Sequence, residues 1–226
     1  MPVSSRLKRP PATKDRRAAR RPRVAPPALA KISPPLLASV CERKRLYKVL
    51  DDAGRRPVSF FTAPAGAGKT TLAASYLKAR HRPCLWLQLE ADNADPASFV
   101  YYLRLAAQRI APRRATKLPL LTAEYQLGLP AFAKHLFEML AHVLPADTVL
   151  VLDNYQEVGA DAALHGFLAE GLTALPPGMR LLYLSRQSPP AALARRRAEG
   201  AVALLDWDSL RFTLEESTAM AKLQCG

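Results

Sequence analysis

The stretch FFTAPAGAGKTTLAASYLKAR, Phe60–Arg80, decides how the rest of the chain is read. An apolar run meets a loop of small residues, then Lys-Thr-Thr, then a helical pattern. The pattern G-x-x-x-x-G-K-[ST] cradles phosphates with backbone N–H groups. Here the run is Ala63-Pro64-Ala65-Gly66-Ala67-Gly68-Lys69-Thr70, so alanine holds the first glycine position. Gly66, Ala67 and Gly68 still let the backbone approach an anion closely. Lys69 is placed for the β- and γ-phosphates of a nucleotide. The Thr70 hydroxyl is placed for Mg²⁺, and Thr71 for the α-phosphate. The helix that follows points its positive end at the pyrophosphate. The plainer reading is a Gly/Ala-rich turn with Lys69 solvated. A strand before and a helix after, which the motif demands, favour the phosphate reading.

Working outward, RPVSFFTAP (56–64) reads as a buried strand. A helix over Thr70–Arg80 follows, with Leu72, Ala73, Tyr76 and Leu77 on one face. CLWLQLE (84–90) is a second strand. Asp92 to Pro96 is a turn, with Asp95 the N-cap of a helix that starts at Pro96 and ends near Pro112. Residues 112–130 show no period and read as a long connection. A helix over 130–144 precedes a third strand and loop, DTVLVLDNYQEV (147–158). Then come a helix (163–176), a strand and turn (179–190), a short helix in ALARRRAEG and a fifth strand, AVALLD (201–206). Thr213 and Glu216 have capping-box spacing at the start of a last helix. Strands alternating with helices imply an α/β fold: a five-stranded, mainly parallel sheet in a three-layer sandwich.

In such folds a later strand ends in an acid that holds Mg²⁺ through water. Asp153, after the apolar Val149–Leu152, fits; the alternative is a cap after a core strand. Hydrolysing proteins often place a second acid beside it. Here the neighbour is Asn154, which cannot accept a proton at neutral pH. Glu157, three residues on, is the other candidate. Arg186 emerges from the fourth strand at the same carboxyl edge, where α/β ligands sit. It either pairs with a terminal phosphate or is a surface arginine before a Pro-rich turn.

The formal net charge of +14 is concentrated at one end. Residues 1–31 hold ten Lys or Arg and one acid, Asp15; the rest holds 23 basic against 18 acidic residues. Residues 1–30 are rich in Pro, Arg and Ala and read as a disordered basic tail. The tail is either simply solvated or meets nucleic acid or an acidic surface through counterion release. No apolar run long enough to span a membrane is present. Cys41, Cys84 and Cys225 have no metal or redox spacing, which fits a reducing cytoplasm.

Several stretches together resemble the ATP-binding module of large LuxR-class, MalT-type transcriptional regulators, part of the STAND group of signalling NTPases. They are AKISPPLLASVCERKRLYKVLDDA, FFTAPAGAGKTTLAASYL, CLWLQLEADNADPASFVYYLRLAA, VLVLDNYQEV, ALPPGMRLLYLSRQSPPAALARRRAEG and LLDWDSLRFTLEES. The resemblance covers about residues 30–217, in the family's order. It implies a P-loop NTPase domain over 31–212, with residues 213–226 opening a following helical region. It implies an ATP-controlled switch that self-associates when ATP is bound. Lys69, Thr70 and Thr71 would hold phosphates and Mg²⁺, Asp153 would be the Mg²⁺-side acid, and Arg186 would lie near the γ-phosphate. Arg43, in CERKRL, would lie near the adenine. Trp86 and the 92–99 turn would be structural. Asn154 implies slow hydrolysis or none, a weak ATPase at most. The family continues through further sensor and DNA-binding regions that this sequence does not contain, so a truncated module is expected. An active ATPase of loader or motor type, or a remnant without ligand, are the other readings.

Overall fold

The computed structural model of the chain describes residues 28–37, 40–91 and 95–225. Of the expected basic tail, residues 1–27 lie outside the described residues, as do Asp92, Asn93 and Ala94 of the expected turn. Helix α1 (Ala28–Lys31) is one turn, tied by Lys31 to Glu90. Helix α2 (Lys44–Ala53), strand β1 (Val58–Thr62), helix α3 (Lys69–Ala79) and strand β2 (Cys84–Gln88) follow. Then come α4 (Pro96–Ile110), α5 (Leu129–Val143), β3 (Val149–Asp153), α6 (Ala163–Gly171) and β4 (Arg180–Ser185). The chain closes with α7 (Ala194–Ala198), β5 (Val202–Leu205), α8 (Trp207–Leu210) and α9 (Leu214–Cys225).

The five strands form one sheet in the order β2-β3-β4-β1-β5, and every pairing is parallel. Because strand side chains alternate, each run feeds two cores. Phe60, Leu85, Leu87, Leu150, Leu152, Leu181 and Tyr183 face a core shared with α4, α5 and α6. Phe61, Trp86, Val151, Leu182, Leu184 and Leu205 face a second core shared with α2 and α3. Covering both faces explains why the strands read as near-continuous apolar runs. The three-layer α/β sandwich expected from the alternation is thus what forms.

Local signals held at the caps. The Asp95 carboxylate accepts from the amides of Ala97 and Ser98 at 2.9 and 3.0 Å. Thr213 and Glu216 form a reciprocal box at the start of α9. Residues 112–130, expected to be irregular, carry two 3-10 turns, Ala115–Lys117 and Ala123–Gly128, and bury Ala115 and Leu118. The helix expected to run to 176 stops at Gly171 and tightens into a 3-10 turn, Leu172–Ala174. Gly171 lies where α6 meets α5: a Cβ there would sit 2.5 Å from the Phe137 ring.

Candidate phosphate-binding site

β1 delivers the chain directly into the loop. The Ala63 amide extends the β1–β4 ladder by donating to Ser185 O at 3.2 Å. Gly66 and Gly68 then take φ of 77° and 78°, the left-handed region that a Cβ disfavours. A Cβ at either would meet nothing within 4 Å, so backbone conformation, not crowding, requires glycine. Ala63 behaves differently. It is 2% exposed and packs in the core beside Leu72 and Leu205, which explains a methyl at the motif's first glycine position. Gly68 is the N-cap of α3 and brings no side-chain acceptor to its first turn. Those amides are free to face an anion.

Lys69 folds back across the loop. Its Nζ donates to Ala63 O at 2.6 Å and Pro64 O at 2.8 Å. Burial lowers its pKa, the charge of Arg186 lowers it further, and Asp153 opposes both. The backbone places Arg186 close by, since it follows Ser185, whose carbonyl accepts from the Ala63 amide at the start of the loop.

β4 lies between β1 and β3, so the loop strand and the acid strand are not neighbours. Thr70 bridges the gap: its hydroxyl donates to Asp153 Oδ1 at 3.1 Å. Asp153 is 5% exposed and also accepts from the Asn154 amide at 3.0 Å. Burial pushes its carboxyl above the usual range despite Thr70, that amide and Lys69. A buried carboxylate beside a threonine hydroxyl is a hard-oxygen pair that suits Mg²⁺. Asn154 itself is left-handed, with φ 57°, a conformation its short polar side chain tolerates. Its side chain accepts only a long bond, 3.5 Å, from Gln156 Nε2. Glu157 is exposed and takes a bond from the same Gln156 at 3.1 Å. Thr71 is exposed on the first turn of α3, and Arg186 is exposed just past β4.

Lys69, Thr70, Asp153 and Arg186 thus come together with Gly66, Ala67 and Gly68. Arg43 takes other partners. It is 5% exposed, and its guanidinium donates to Leu210 O, Arg211 O and the Glu216 carboxylate, at 2.8, 2.7 and 2.9 Å. It also stacks over Phe212, 4.1 Å from the ring centre. Two features went unread in the sequence. One is this clasp on the C-terminal segment. The other is Gln156, whose Oε1 accepts from the Arg186 amide at 3.1 Å. Only the Thr213/Glu216 capping spacing hinted at the first, and nothing local signals the second.

No family model matches the chain. The HTH-type transcriptional regulator MalT of Vibrio cholerae is 27% identical over 187 residues, 82% of this chain and 20% of the relative. MalT of Yersinia enterocolitica is 28% identical over 190 residues, 83% of this chain and 21% of the relative. The chain therefore spans about a fifth of the length of the curated relatives it matches. A signal transduction ATPase with numerous domains (STAND) carrying a tetratricopeptide repeat sensor, from Pyrococcus horikoshii, superimposes with a TM-score of 0.53. It is 17% identical, and the match covers 85% of this chain and 26% of that one. A Walker-type ATPase of Pyrococcus abyssi superimposes with a TM-score of 0.50 at 13% identity, over 81% of this chain and 57% of its own. By sequence the chain is thus similar to one section of the MalT transcriptional regulators, and by fold it matches P-loop ATPases of the STAND and Walker types.

Proposed function

We propose that the chain is an ATP-binding switch module of a MalT-like transcriptional regulator, with slow hydrolysis or none. One observation carries this reading: a two-glycine, left-handed loop with Lys69 is followed at once by Thr70, whose hydroxyl meets the buried Asp153 at the end of a separate strand. A plain structural turn has no need to bury a carboxylate there. In the bound state the loop amides and Lys69 hold the β- and γ-phosphates, and Thr71 holds the α-phosphate. Thr70 and Asp153 are the protein oxygens that fit Mg²⁺, which neutralises phosphate charge when bound. Arg186 is the second cation, for the terminal phosphate. Lys69 uses two of its three donors on Ala63 O and Pro64 O, and the third is left for a phosphate oxygen.

Asn154 stands where a water-orienting acid would be expected, and Glu157 is exposed and engaged by Gln156. That favours sensing over turnover. The nucleotide domain is assigned to residues 31–212, and α9, within 213–226, to the start of a following helical region. Self-association on ATP binding, a cytoplasmic location and any nucleic-acid contact through the basic tail belong to the same proposal. Among the described residues no helix is long and apolar enough to cross a membrane. Titration with labelled ATP and Mg²⁺, beside Lys69→Ala, tests the reading. Steady turnover of several per second would favour a working ATPase instead, and no binding by the parent would favour a remnant.

A further inference from the structure

The Asp153 carboxylate is anchored through one oxygen. Oδ1 accepts from the Thr70 hydroxyl at 3.1 Å and from the Asn154 amide at 3.0 Å, while Oδ2 accepts no hydrogen bond from the described residues. Two donors on one oxygen restrain the rotation of the group, and Oδ2 is the oxygen left for a ligand. The Asn154 amide reaches Oδ1 from a left-handed backbone, with φ 57°. Whatever holds that turn therefore sets the aim of the carboxylate.

The turn is held from α6. Asn154 O accepts from the Glu157 amide at 2.9 Å and Tyr155 O from the Val158 amide at 3.2 Å, a single 3-10 turn with little stability of its own. Tyr155 and Val158 are buried, and Tyr155 meets the Tyr183 ring of β4 edge-on at 4.7 Å and the Phe60 ring of β1 at 6.1 Å. The Tyr155 hydroxyl lies 2.7 Å from Nδ1 of His165, in α6, and His165 Nε2 lies 2.9 Å from Gly159 O. A carbonyl only accepts, so Nε2 carries the proton and Nδ1 accepts from the tyrosine. One buried ring thus grips both ends of the segment 155–159.

We propose that His165 is a positioning residue for the cation side of the site: it seats the turn whose Asn154 amide aims Asp153, and so keeps Oδ2 ready for Mg²⁺. This rests on the nucleotide reading above. Among the described residues His165 makes no hydrogen bond to Asp153 or Thr70, so its effect runs through the turn. When the seat loosens, the Asn154 amide leaves Oδ1 part of the time and the carboxylate must be ordered on binding. That cost falls on binding that uses Mg²⁺, not on the grip of the loop amides on phosphate.

The test is calorimetric titration of ATP, in Mg²⁺ and in a chelator, into the full chain and into His165→Phe, Tyr155→Phe and His165→Gln. Exchange of the Asn154 amide hydrogen is followed in the ligand-free proteins, at a temperature where circular dichroism shows each variant folded. His165→Phe keeps a ring but neither nitrogen; Tyr155→Phe, the milder change, removes only the hydroxyl. Both are expected to lower the gain in ATP affinity on adding Mg²⁺ about three- to tenfold, the worth of one hydrogen bond, and to speed Asn154 amide exchange. Affinity in the chelator is expected to stay at the parental value. His165→Gln, which keeps a donor and an acceptor, is expected to retain most of the gain. Parental amide protection and a parental gain in both Phe variants, or equal weakening with and without Mg²⁺, overturns the role of His165 and leaves the nucleotide reading standing. A parent that binds no ATP overturns the nucleotide reading, and the role of His165 with it.

Discussion

Lys69 spends two of its three donors on Ala63 O and Pro64 O, both carbonyls of its own loop. One donor of the ammonium remains for a phosphate oxygen, and any further phosphate bond replaces one to a loop carbonyl, so the net gain on binding is smaller than the gross one. Lys69→Ala is expected to weaken Mg·ATP binding by about 1.5–3 kcal/mol, roughly 10- to 150-fold, in a titration at constant Mg²⁺. Melting temperature should change little, since the ammonium is only partly buried and its loop contacts are internal. Ala63 supplies a sharper contrast. The motif in its usual form has glycine there, yet this methyl is packed in the core and the residue takes no positive φ. Ala63→Gly is therefore expected to keep nucleotide affinity and lose about 1–2 kcal/mol of stability, from the buried methyl and the added backbone freedom. Gly68→Ala is expected to do the reverse to function: open space surrounds the site, but φ of 78° forces strain of about 1–2 kcal/mol into the cradle itself. Parallel melting curves and titrations of the two variants separate the roles.

The elements are joined by contacts of unequal reach, and the reach sets what could be read in advance. The strands were legible because VSFFT, CLWLQ, VLVLD and RLLYLS are apolar on both faces, and the caps at Asp95 and Thr213 because their partners lie within three residues. Helix α2 was not assigned: Leu46, Tyr47, Leu50 and Ala53 are buried among charged residues, and Arg43 at its start offers no capping side chain. The Arg43–Glu216 clasp spans 173 residues and Gln156–Arg186 spans 30, so both follow from the sheet order rather than any local pattern. The clasp makes a pH prediction. Burial raises the Glu216 carboxyl, but Arg43, the Thr213 amide and Arg45 outweigh it and hold the pKa below 4.5. A depressed carboxylate stabilises the fold above its unfolded pKa, and that contribution is lost as pH falls through the folded value. Glu216→Gln should thus melt lower than the parent near pH 7, by about 1–2 kcal/mol, and the gap should close below about pH 4. At the α5–α6 contact, Gly171→Ala gains helix propensity of about 1 kcal/mol but drives a methyl to 2.5 Å from Phe137. Overpacking of about 1–3 kcal/mol should win, and denaturant unfolding should show a net loss.

At the scale of the whole molecule, the parallel order β2-β3-β4-β1-β5 gathers one edge from three strands: the loop after β1, Asp153 at the end of β3 and Arg186 after β4. The phosphate motif alone identified the first. The second and third were read from their places just at or after the ends of apolar strands; what the sequence did not give is the order that sets β4 between the other two. The sheet also carries the clasped C-terminal helix, so loop and helix are parts of one scaffold through Arg43 and the shared core around Leu205 and Leu210. A switch on this scaffold needs a ligand that binds its two states unequally, not a fast reaction. The direct test is one titration of the full chain with ATP and Mg²⁺, followed by measurement of the nucleotide recovered from the complex. The account predicts saturable, Mg²⁺-dependent binding that Lys69→Ala weakens at least tenfold, with the nucleotide recovered as intact ATP over many minutes. No saturable binding, or binding indifferent to the loss of Lys69, would contradict it.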